Sequence, residues 1–588
     1  MAVLRTGTSP STDKDNAIQY VGTLVGESTS REFRLALHRE SVREQDVVAV
    51  DAELRPTNDT STPEKIRIWA KVQRIERVNP LFPTESAHEL AETKTSPFAT
   101  VLSLTREMVT AVCQVLGTEP IAGGAGAKLG HLRYPAQPAS SAYRPDGADV
   151  ARVVLGDLER RRHRSLDVAT LSNRAEVNVL VDGHVVVTRH LAILAMTGAG
   201  KSWASRRIIE ELAAKNFPIV IFDPRGDYTG LSEVPALKDR VTRYFAQFPI
   251  LEEDGETAAE VVSNLGYRLS DTMRQRFGDV FRATIAFYVD DPEELEERKR
   301  WLTAHADPGN VKYGINRDLW LLALLAEIAE LAVRNEDAAT KAQLQEWGWM
   351  GLVNYAKTEC RTLEGIKKRA RRAAGVLARM ERVNREVARK SAVALPKDRK
   401  SLVEYGRISV VSLAGYTGDF QATIYKLIAE ELFDARISGE LKVPGMLLVL
   451  EEAHNFAPGH PNTPAEEAAI TATRQIAQEG RKFGVGLLLI SQRPSRLDET
   501  TLSQCNSYVI MRMVNPADQN FVKKVIETIG EDEAKLLPDL DVGEALLSGQ
   551  FINFPVLVRM KAPVSKGEHE EEDAFLQLEK VRGGATSN

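Results

Sequence analysis

Residues 190–202 read His-Leu-Ala-Ile-Leu-Ala-Met-Thr-Gly-Ala-Gly-Lys-Ser, and this stretch decides how the rest of the chain is interpreted. The apolar run from Leu191 to Met196 predicts a short buried strand, and the glycine-containing loop after it leads into a helix that starts near Lys201. A strand, a glycine loop and a helix in this order form a P-loop, in which backbone N–H groups and a helix N-terminus surround a phosphate. The stretch therefore predicts a phosphate-binding loop.

Within this loop, we expect Lys201 to reach the β- and γ-phosphates of a nucleotide and the Ser202 hydroxyl to bind Mg²⁺. Ala195 stands where the usual pattern has its first glycine, which is tolerable if its φ is negative. The alternative, a chance Gly-Lys-Ser in a surface loop, is disfavoured by the flanking strand and helix. The predicted nucleotide-binding residues are Thr197, Gly198, Ala199, Gly200, Lys201, Ser202 and Trp203.

The composition is that of an ordinary soluble, multidomain protein. The chain has 588 residues, of which 43% are hydrophobic and 27% charged. The net charge is −6, so any surface that binds nucleic acid must be local. Three widely spaced cysteines (Cys113, Cys360 and Cys505) lack metal-ligand spacing and favour a reducing compartment. No apolar run approaches the roughly 20 residues that cross a bilayer, and no signal peptide is evident. We expect a cytoplasmic protein that does not enter the membrane.

Periodicity divides the chain into six parts. Residues 1–16 are polar and predict a disordered tail. Short alternating runs from 17 to about 77 predict a small antiparallel barrel or sandwich, and we assign 17–150 to an N-terminal β-barrel domain and its linker. The remaining predicted parts are an α/β core in two pieces at 151–230 and 401–561, a helical bundle inserted at 231–400, and a C-terminal arm at 562–588. Between two of the runs, Asp182-Gly183 predicts a hairpin turn that joins strands at 177–181 and 184–187.

Two further apolar runs end in acids, which predicts buried strands whose ends lie beside the phosphate loop. Residues 218–222 lead into Asp223, and residues 444–450 lead into Glu451 and Glu452. We expect Glu451 to help hold Mg²⁺ and Glu452 to polarise the attacking water. The alternative interpretations are a plain strand-end turn for Asp223 and ordinary strand-end acids for the glutamate pair.

Two more positions follow from the same logic. Residues 485–490 predict a strand that ends at Ser491-Gln492, where the Gln492 amide can sense a γ-phosphate or orient water. Arg481 lies at the end of the preceding helix, from which it can reach outward. His454 is interpreted as a structural, hydrogen-bonded histidine.

Residues 363–390 predict a strongly basic helix. Two interpretations remain open: a face that contacts DNA, and a solvated face with interspersed Glu364, Glu381 and Glu386, which we favour. The basic residues are Lys367, Lys368, Arg369, Arg371, Arg372, Arg379, Arg382, Arg385, Arg389 and Lys390.

Taken in order, these segments resemble the HerA family of hexameric DNA translocases, which is related to FtsK-type motors. The resemblance extends from about residue 19 to 561. It rests on the segments 189–202, Phe-Asp-Pro-Arg-Gly-Asp-Tyr at 222–228, Leu-Glu-Glu-Ala-His-Asn-Phe-Ala-Pro at 450–458, Glu-Gly-Arg-Lys-Phe-Gly at 479–484, Ser-Gln-Arg-Pro at 491–494, and Asn-Pro-Ala-Asp at 515–518 followed by a hairpin at 543–549.

The resemblance implies a RecA-like P-loop ATPase core with a small N-terminal β-barrel and an inserted helical bundle. It also implies a homo-hexamer with ATP between neighbours. In that scheme Lys201 and Ser202 bind phosphate and Mg²⁺, Asp223 lines the site, Glu452 is the catalytic carboxylate and Gln492 is the sensor. Arg481 is the expected arginine finger in the neighbour's site, and Arg189 matches a family arginine that is expected to act across the same interface.

The function implied by the resemblance is ATP-dependent translocation of double-stranded DNA, bound independently of sequence. A partner nuclease of the NurA type is expected to dock on the N-terminal barrel, and the pair would serve DNA-end resection and recombinational repair. The alternative is an ATP-dependent oligomeric scaffold that regulates an effector enzyme in antiphage defence.

Overall fold

The computed structural model describes residues 19–38, 41–54, 64–78, 108–121, 129–245, 255–265, 267–306, 318–388, 392–396 and 398–565. The chain divides into two compact units. The first unit contains residues 1–183, 507–514 and 526–561, and the second contains 184–506, 515–525 and 562–588. The predicted tail at residues 1–16 lies outside the described residues.

The strands, in chain order, are β1 (Gln19–Val25), β2 (Glu32–Leu37), β3 (Val47–Leu54), β4 (Glu64–Val78), β5 (Met108–Pro120), β6 (Ser141–Arg144), β7 (Ser165–Leu171), β8 (Arg174–Asp182), β9 (Leu191–Leu194), β10 (Ile219–Asp223), β11 (Val241–Phe245), β12 (Val393–Ala394), β13 (Ile408–Ser412), β14 (Met446–Glu451), β15 (Val485–Ser491), β16 (Ser507–Met511), β17 (Glu544–Gly549) and β18 (Val556–Met560).

The α-helices are α1 (Gly147–Leu155), α2 (Gly183–Thr188), α3 (Lys201–Ala214), α4 (Gly255–Asn264), α5 (Asp271–Ile285), α6 (Pro292–His305), α7 (Asp318–Arg334), α8 (Ala338–Glu346), α9 (Met350–Thr358), α10 (Cys360–Ala388), α11 (Gly418–Ile437), α12 (Pro464–Phe483), α13 (Glu499–Ser503), α14 (Pro516–Val525) and α15 (Glu531–Leu536).

The first unit contains a closed barrel with strand order β1-β2-β5-β4-β3-β6. Its strands alternate as a barrel requires: in β2, Phe33 and Leu35 are buried while Glu32 and Arg34 are exposed. The predicted N-terminal β-barrel is therefore confirmed, and the sandwich alternative is wrong. The same unit also contains antiparallel pairs that join β16 to β17, β17 to β18, β18 to β7 and β7 to β8.

The predicted hairpin at Asp182-Gly183 is wrong. Strand β8 ends at Asp182 and pairs with β7, while Gly183 begins the short helix α2. The valines at 185–187 that suggested a second strand are buried in that helix. A short apolar run records burial and does not by itself separate a strand from a helix.

The second unit is built on a parallel sheet, with β12-β11-β13-β10-β14-β15-β9 as neighbours in that order. Every residue of β10, β13, β14 and β15 is buried, as expected when helices cover both faces of a parallel sheet. Because these strands run in the same direction, the carboxyl ends of β9, β10, β14 and β15 lie at one edge. The predicted α/β P-loop core is confirmed.

The predicted insertion at 231–400 contains strands as well as helices. Helices α4 to α10 lie between residues 255 and 388, whereas β11 and β12, also inside the predicted range of 231–400, belong to the parallel sheet. Strand β11 escaped detection because only one of its five residues is fully buried. The domain boundaries themselves stay predictions.

The start of the predicted C-terminal arm packs on helix α3. Both Val564 and Ser565 donate their backbone N–H groups to the buried carboxylate of Glu210, each at 2.8 Å. Arg206 donates to the Ser565 carbonyl at 3.2 Å. Residues 566–588 of the arm lie outside the described part of the chain. Among the described helices, none combines the length and the apolar character that a membrane crossing needs.

Candidate active site

The loop between β9 and α3 has the backbone that the sequence predicted. Gly198 and Gly200 have φ angles of 81° and 100°, a region that L side chains rarely adopt, and helix α3 begins directly after them at Lys201. Ala195 is buried and is absent from the residues with positive φ, so an alanine fits there without strain. The loop therefore has glycines where its backbone needs them, although Ala195 replaces the first glycine of the usual pattern.

Lys201 reaches the two glutamates at the end of β14. Its side chain is 6% exposed, and Nζ donates to Oε1 of Glu451 at 2.5 Å and lies 3.4 Å from Oε1 of Glu452. A buried ammonium group must be paired, and these carboxylates neutralise it. The fold thus brings the phosphate-loop lysine together with both predicted acids, although Lys201 and Glu451 are 250 residues apart in the chain.

Glu452 occupies an unusual backbone position. Its φ and ψ are 52° and 51°, a left-handed conformation that costs a non-glycine residue about 1 to 2 kcal/mol. Oε1 accepts a hydrogen bond from Nε2 of Gln492 at 2.6 Å and an ion pair from Arg225 at 2.9 Å. Oε2 is buried without a hydrogen bond from any described residue, and Nδ1 of His454 lies 3.5 Å away. One oxygen of this carboxylate is therefore held, while the other keeps its capacity to accept a hydrogen bond.

Glu451 is held differently, although it is the next residue in the chain. It is completely buried, and Oε2 accepts a hydrogen bond from the hydroxyl of Tyr228 at 2.7 Å. Burial raises the pKa of Glu451 to about 7, against the opposing effects of Lys201 and the Tyr228 hydroxyl. Both oxygens of Glu451 are engaged, so its position is more tightly fixed than that of Glu452.

Asp223 lies at the same edge of the sheet, but its carboxylate is turned into its own loop. Oδ1 accepts N–H bonds from Arg225, Gly226 and Asp227, and Oδ2 accepts one from Tyr228 at 3.1 Å. Burial is the main reason that the pKa of Asp223 is raised to about 6. The Asp223 carboxylate thus shapes the turn that carries Arg225 to Glu452 and Tyr228 to Glu451; its predicted direct role in catalysis stays a prediction.

Sequence reasoning missed Arg225 and Tyr228 as site residues. Both lie in the quoted segment 222–228, where only the acid was considered. Their position in the sequence could have identified them, because a polar side chain just after the end of a buried parallel strand lies at the edge of the sheet where ligands bind.

The remaining loop contacts link the phosphate loop to the predicted sensor. The hydroxyl of Thr197 donates to Oε1 of Gln492 at 2.5 Å, while the amide of Gln492 donates to Glu452. Trp203 lies on the first turn of α3 and is 47% exposed, and Ser202 precedes it on the same turn. Gln492 therefore bridges the phosphate loop and the carboxylate.

The two predicted trans-acting arginines lie apart from this cluster. Arg481 is exposed on the last turn of α12, next to the amino end of β15, and Arg189 precedes the amino end of β9. Both therefore lie at the edge opposite the phosphate loop. Between them, His190 accepts the N–H of Leu487 on Nδ1 and contacts the Ala477 carbonyl through Nε2, and burial lowers its pKa to about 4.

A parallel sheet whose glycine loop, lysine, strand-end glutamate and glutamine converge in this way defines a P-loop ATPase. Residues 166–432 match the family model described as "Helicase HerA, central domain", and residues 414–578 match "Helicase HerA-like C-terminal". The chain belongs to the HerA family, and it is an ATPase.

Curated relatives agree with this assignment. The chain is 26% identical over 445 residues to the "DNA double-strand break repair helicase HerA" of Pyrococcus furiosus, which covers 69% of this chain and 72% of the relative. It is 25% identical over 507 residues to a "Probable helicase" of Methanocaldococcus jannaschii, with 84% and 88% of the two chains covered. Among solved structures, VirB4 of Thermoanaerobacter pseudethanolicus aligns over 68% of this chain and 96% of its own at 14% identity, with a TM-score of 0.39.

Proposed function

We propose that this protein is an ATP-driven translocase of double-stranded DNA that works as a homo-hexamer in the cytoplasm. The observation that carries the proposal is the convergence of Lys201, Glu452 and Gln492 at the phosphate loop. The curated relatives named as DNA repair helicases support DNA as the polymer on which it acts. The cytoplasmic assignment rests on Cys113, Cys360 and Cys505, all of which are free cysteines.

In the proposed reaction, Lys201 leaves Glu451 for the β- and γ-phosphates of ATP. The attacking water then donates a hydrogen bond to the unpaired Oε2 of Glu452, while Gln492 holds Oε1. The fixed backbone at 452 orients this carboxylate before the nucleotide arrives. This arrangement supports Glu452, and not Glu451, as the proposed general base.

The residues present fit a magnesium ion bound with ATP. The described chain holds no cluster of three or more acidic, histidine or cysteine ligands, so a dedicated protein cage for the metal is not part of this site. Mg²⁺ usually keeps several waters and takes few protein ligands, and the Ser202 hydroxyl with the Glu451 carboxylate matches that demand. The ion would neutralise phosphate charge. In the nucleotide-free arrangement, Glu451 is occupied by Lys201 and Tyr228.

The position of Arg481 supports the proposed hexamer. An arginine at the amino edge of the sheet cannot serve the phosphate loop at the carboxyl edge of its own subunit, but it can serve a neighbour's. We extend the same role to Arg189. An arginine supplied in trans contributes about 10³ to 10⁵ in rate, so Arg481→Ala should abolish measurable ATP hydrolysis.

Mixing two inactive variants tests this arrangement. Arg481→Ala protein and Glu452→Gln protein are each expected to be inactive. Mixed subunits should regain part of the ATPase activity, because some interfaces combine an intact Glu452 with an intact Arg481. If mixing with confirmed subunit exchange restores nothing, Arg481 does not act across an interface.

The function itself is tested by ATP hydrolysis with and without linear duplex DNA. Stimulation of several-fold, absent in Glu452→Gln, supports a DNA motor. We further propose that the motor feeds a NurA-type nuclease docked on the barrel formed by β1 to β6, in DNA-end resection and recombinational repair. A hexamer whose ATPase ignores DNA but activates a bound effector would instead favour the regulatory scaffold of an antiphage system.

A further inference from the structure

Helix α10 uses its basic residues in two ways. Lys367 and Arg371 form ion pairs with Glu330 and Glu327 on α7, and Arg369 donates to the Arg268 carbonyl at 2.9 Å. These three side chains hold the helical bundle together. These three side chains therefore contact other parts of the protein and do not form the solvated face that the sequence favoured.

A second set of cations lies on the outer side of the helix. At 100° per residue, Lys368, Arg372, Arg379 and Arg382 fall within an arc of about 80°, and all four are exposed. The exposed acids Glu364 and Glu386 lie on the same face at its two ends, and from 365 to 380 the sequence contains no aspartate or glutamate. Lys368 forms an exposed pair with Glu364, whereas Arg372, Arg379 and Arg382 form no ion pair with a described residue. We name these four residues the basic stripe.

A glycine interrupts the basic stripe where the fold does not require one. Gly375 is exposed on the same face, in the middle of α10, and a Cβ built on it would meet nothing within 4 Å. Its φ is not positive, so alanine would fit. Gly365 in the same helix is different, since a Cβ there would lie 2.3 Å from the Met273 side chain. A glycine in an exposed helix interior weakens the helix, and close approach of another molecule's backbone is one reason to keep it.

We propose that the basic stripe and Gly375 form a contact surface for the phosphate backbone of double-stranded DNA. From Lys368 to Arg382 the helix rises by 14 steps, or about 21 Å, which equals about six base-pair steps of 3.4 Å. The basic stripe has no aromatic side chain on which unstacked bases could stack, so backbone contact with a duplex fits better than single-strand binding. This inference rests on the proposed function, because it assigns a contact surface for the same DNA.

The attachment of α10 suits such a surface. Near its carboxyl end, Nδ2 of Asn384 donates to the carbonyls of Ser412 and Ala414, each at 2.8 Å. Asn384 is completely buried, and Ser412 ends strand β13 at the edge of the sheet where the phosphate loop lies. Two buried hydrogen bonds therefore link the helix that carries the basic stripe to the ATPase sheet.

The first experiment measures binding of a fluorescent 30-base-pair duplex by the full chain at several salt concentrations. Arg372→Gln with Arg379→Gln should weaken binding about tenfold or more and make the slope of log affinity against log salt shallower by about two. Arg300→Gln, which removes an exposed arginine from helix α6 of the same bundle, is the matched control and should change neither value much.

The second experiment separates a contact surface from a structural role. Gly375→Ala should raise or leave unchanged the thermal unfolding midpoint, yet weaken DNA binding several-fold because a methyl group blocks close approach. Gly351→Ala is the control: Gly351 is also exposed, helical and free of neighbours within 4 Å, but it lies on α9. It should not alter DNA binding.

The outcomes are distinguishable. If the wild-type chain binds no duplex DNA at any salt concentration, the proposed function fails and takes this inference with it. If wild-type binding is salt-dependent and the variants of the basic stripe match it, the inference alone is overturned. If those variants bind DNA normally but fall apart into smaller assemblies in sedimentation, the surface is a subunit interface, which also overturns it.

Discussion

The second unit handles charge in two opposite ways. In the buried site, Lys201, Glu451 and Glu452 are at most 6% exposed, and lysine and carboxylate atoms approach to between 2.5 and 3.4 Å. On the basic stripe of α10, the cations are exposed and three of them lack an ion-pair partner in the described chain. Buried charges interact strongly and need each partner, whereas exposed charges are screened and act in numbers. Single substitutions should therefore have large effects in the first region and small ones in the second.

Of these two regions, the buried site should show the larger effect, and within it the largest is expected from Glu452→Gln, which keeps the shape of the side chain but removes the base. Steady-state ATP hydrolysis should fall by about 10² to 10⁴-fold, since that is the usual contribution of a positioned general base. Binding of a fluorescent ATP analogue should remain, because the phosphate loop is unchanged.

Glu467→Gln provides the comparison for that experiment. Glu467 is an exposed acid in the first turn of α12, so its loss should leave hydrolysis near the wild-type rate. If the Glu452→Gln protein hydrolysed ATP at even a tenth of the wild-type rate, a group other than Glu452 would have to be the general base.

Next comes the pair formed by Lys201 and Glu451. Lys201→Met should destabilise the nucleotide-free protein by about 3 to 5 kcal/mol, because it leaves two buried carboxylates without their cation. Glu451→Gln added to Lys201→Met should recover part of that loss. Denaturant unfolding of the wild type, both single variants and the double variant gives the coupling energy, and additive effects would show that the contact contributes no stability.

The sequence was sufficient for the main architecture because its strongest patterns are physical requirements. Fully buried parallel strands need continuous apolar runs, and these identified β9, β10, β14 and β15. The same reasoning failed where the pattern is weaker. Four of the five residues of β11 are only half-buried, and the valines of α2 satisfy a strand and a helix pattern equally. The periodicity of apolar residues indicates which side chains are buried, but it indicates the backbone conformation only indirectly.

For the site, the sequence predicted which residues contribute side chains, but it did not predict how those side chains contact one another. The neighbours Glu451 and Glu452 were expected to have different roles, and the structure gives each a different environment, through Tyr228 for one and Gln492 for the other. The left-handed backbone of Glu452 and the closed loop around Asp223 could not be read from residue types, because both depend on contacts between distant segments.

A prediction of intermediate size concerns His190, which is buried and whose pKa is lowered to about 4 from 6.5. In the unfolded chain this histidine binds a proton below about pH 6.5, but in the folded chain only below about pH 4. Its contribution to stability is therefore complete above pH 6.5 and is lost as the pH falls towards 4, by up to about 3 kcal/mol. Thermal unfolding midpoints of the wild type and His190→Asn, compared from pH 7.5 to 4.5, should converge as the pH falls.

The comparison must use the difference between the two proteins, because Asp223 and Glu451 have raised pKa values and change stability with pH in the opposite direction. Position 190 has a left-handed φ of 57°, which asparagine tolerates, so His190→Asn should change the side chain without straining the backbone. A constant difference between His190→Asn and the wild type at every pH would mean that the protonation of His190 is not linked to folding.

The smallest effect is expected on the basic stripe. Lys368→Gln removes one exposed cation and its pair with Glu364, and water replaces that pair almost completely. The thermal unfolding midpoint should stay at the wild-type value, while affinity for duplex DNA falls about threefold and the salt slope becomes shallower by about one. If Lys368→Gln instead destabilised the protein as much as Lys201→Met, exposure would not explain the difference between the two regions. The effect of each charge would then depend on its own contacts and not on whether it is buried or exposed.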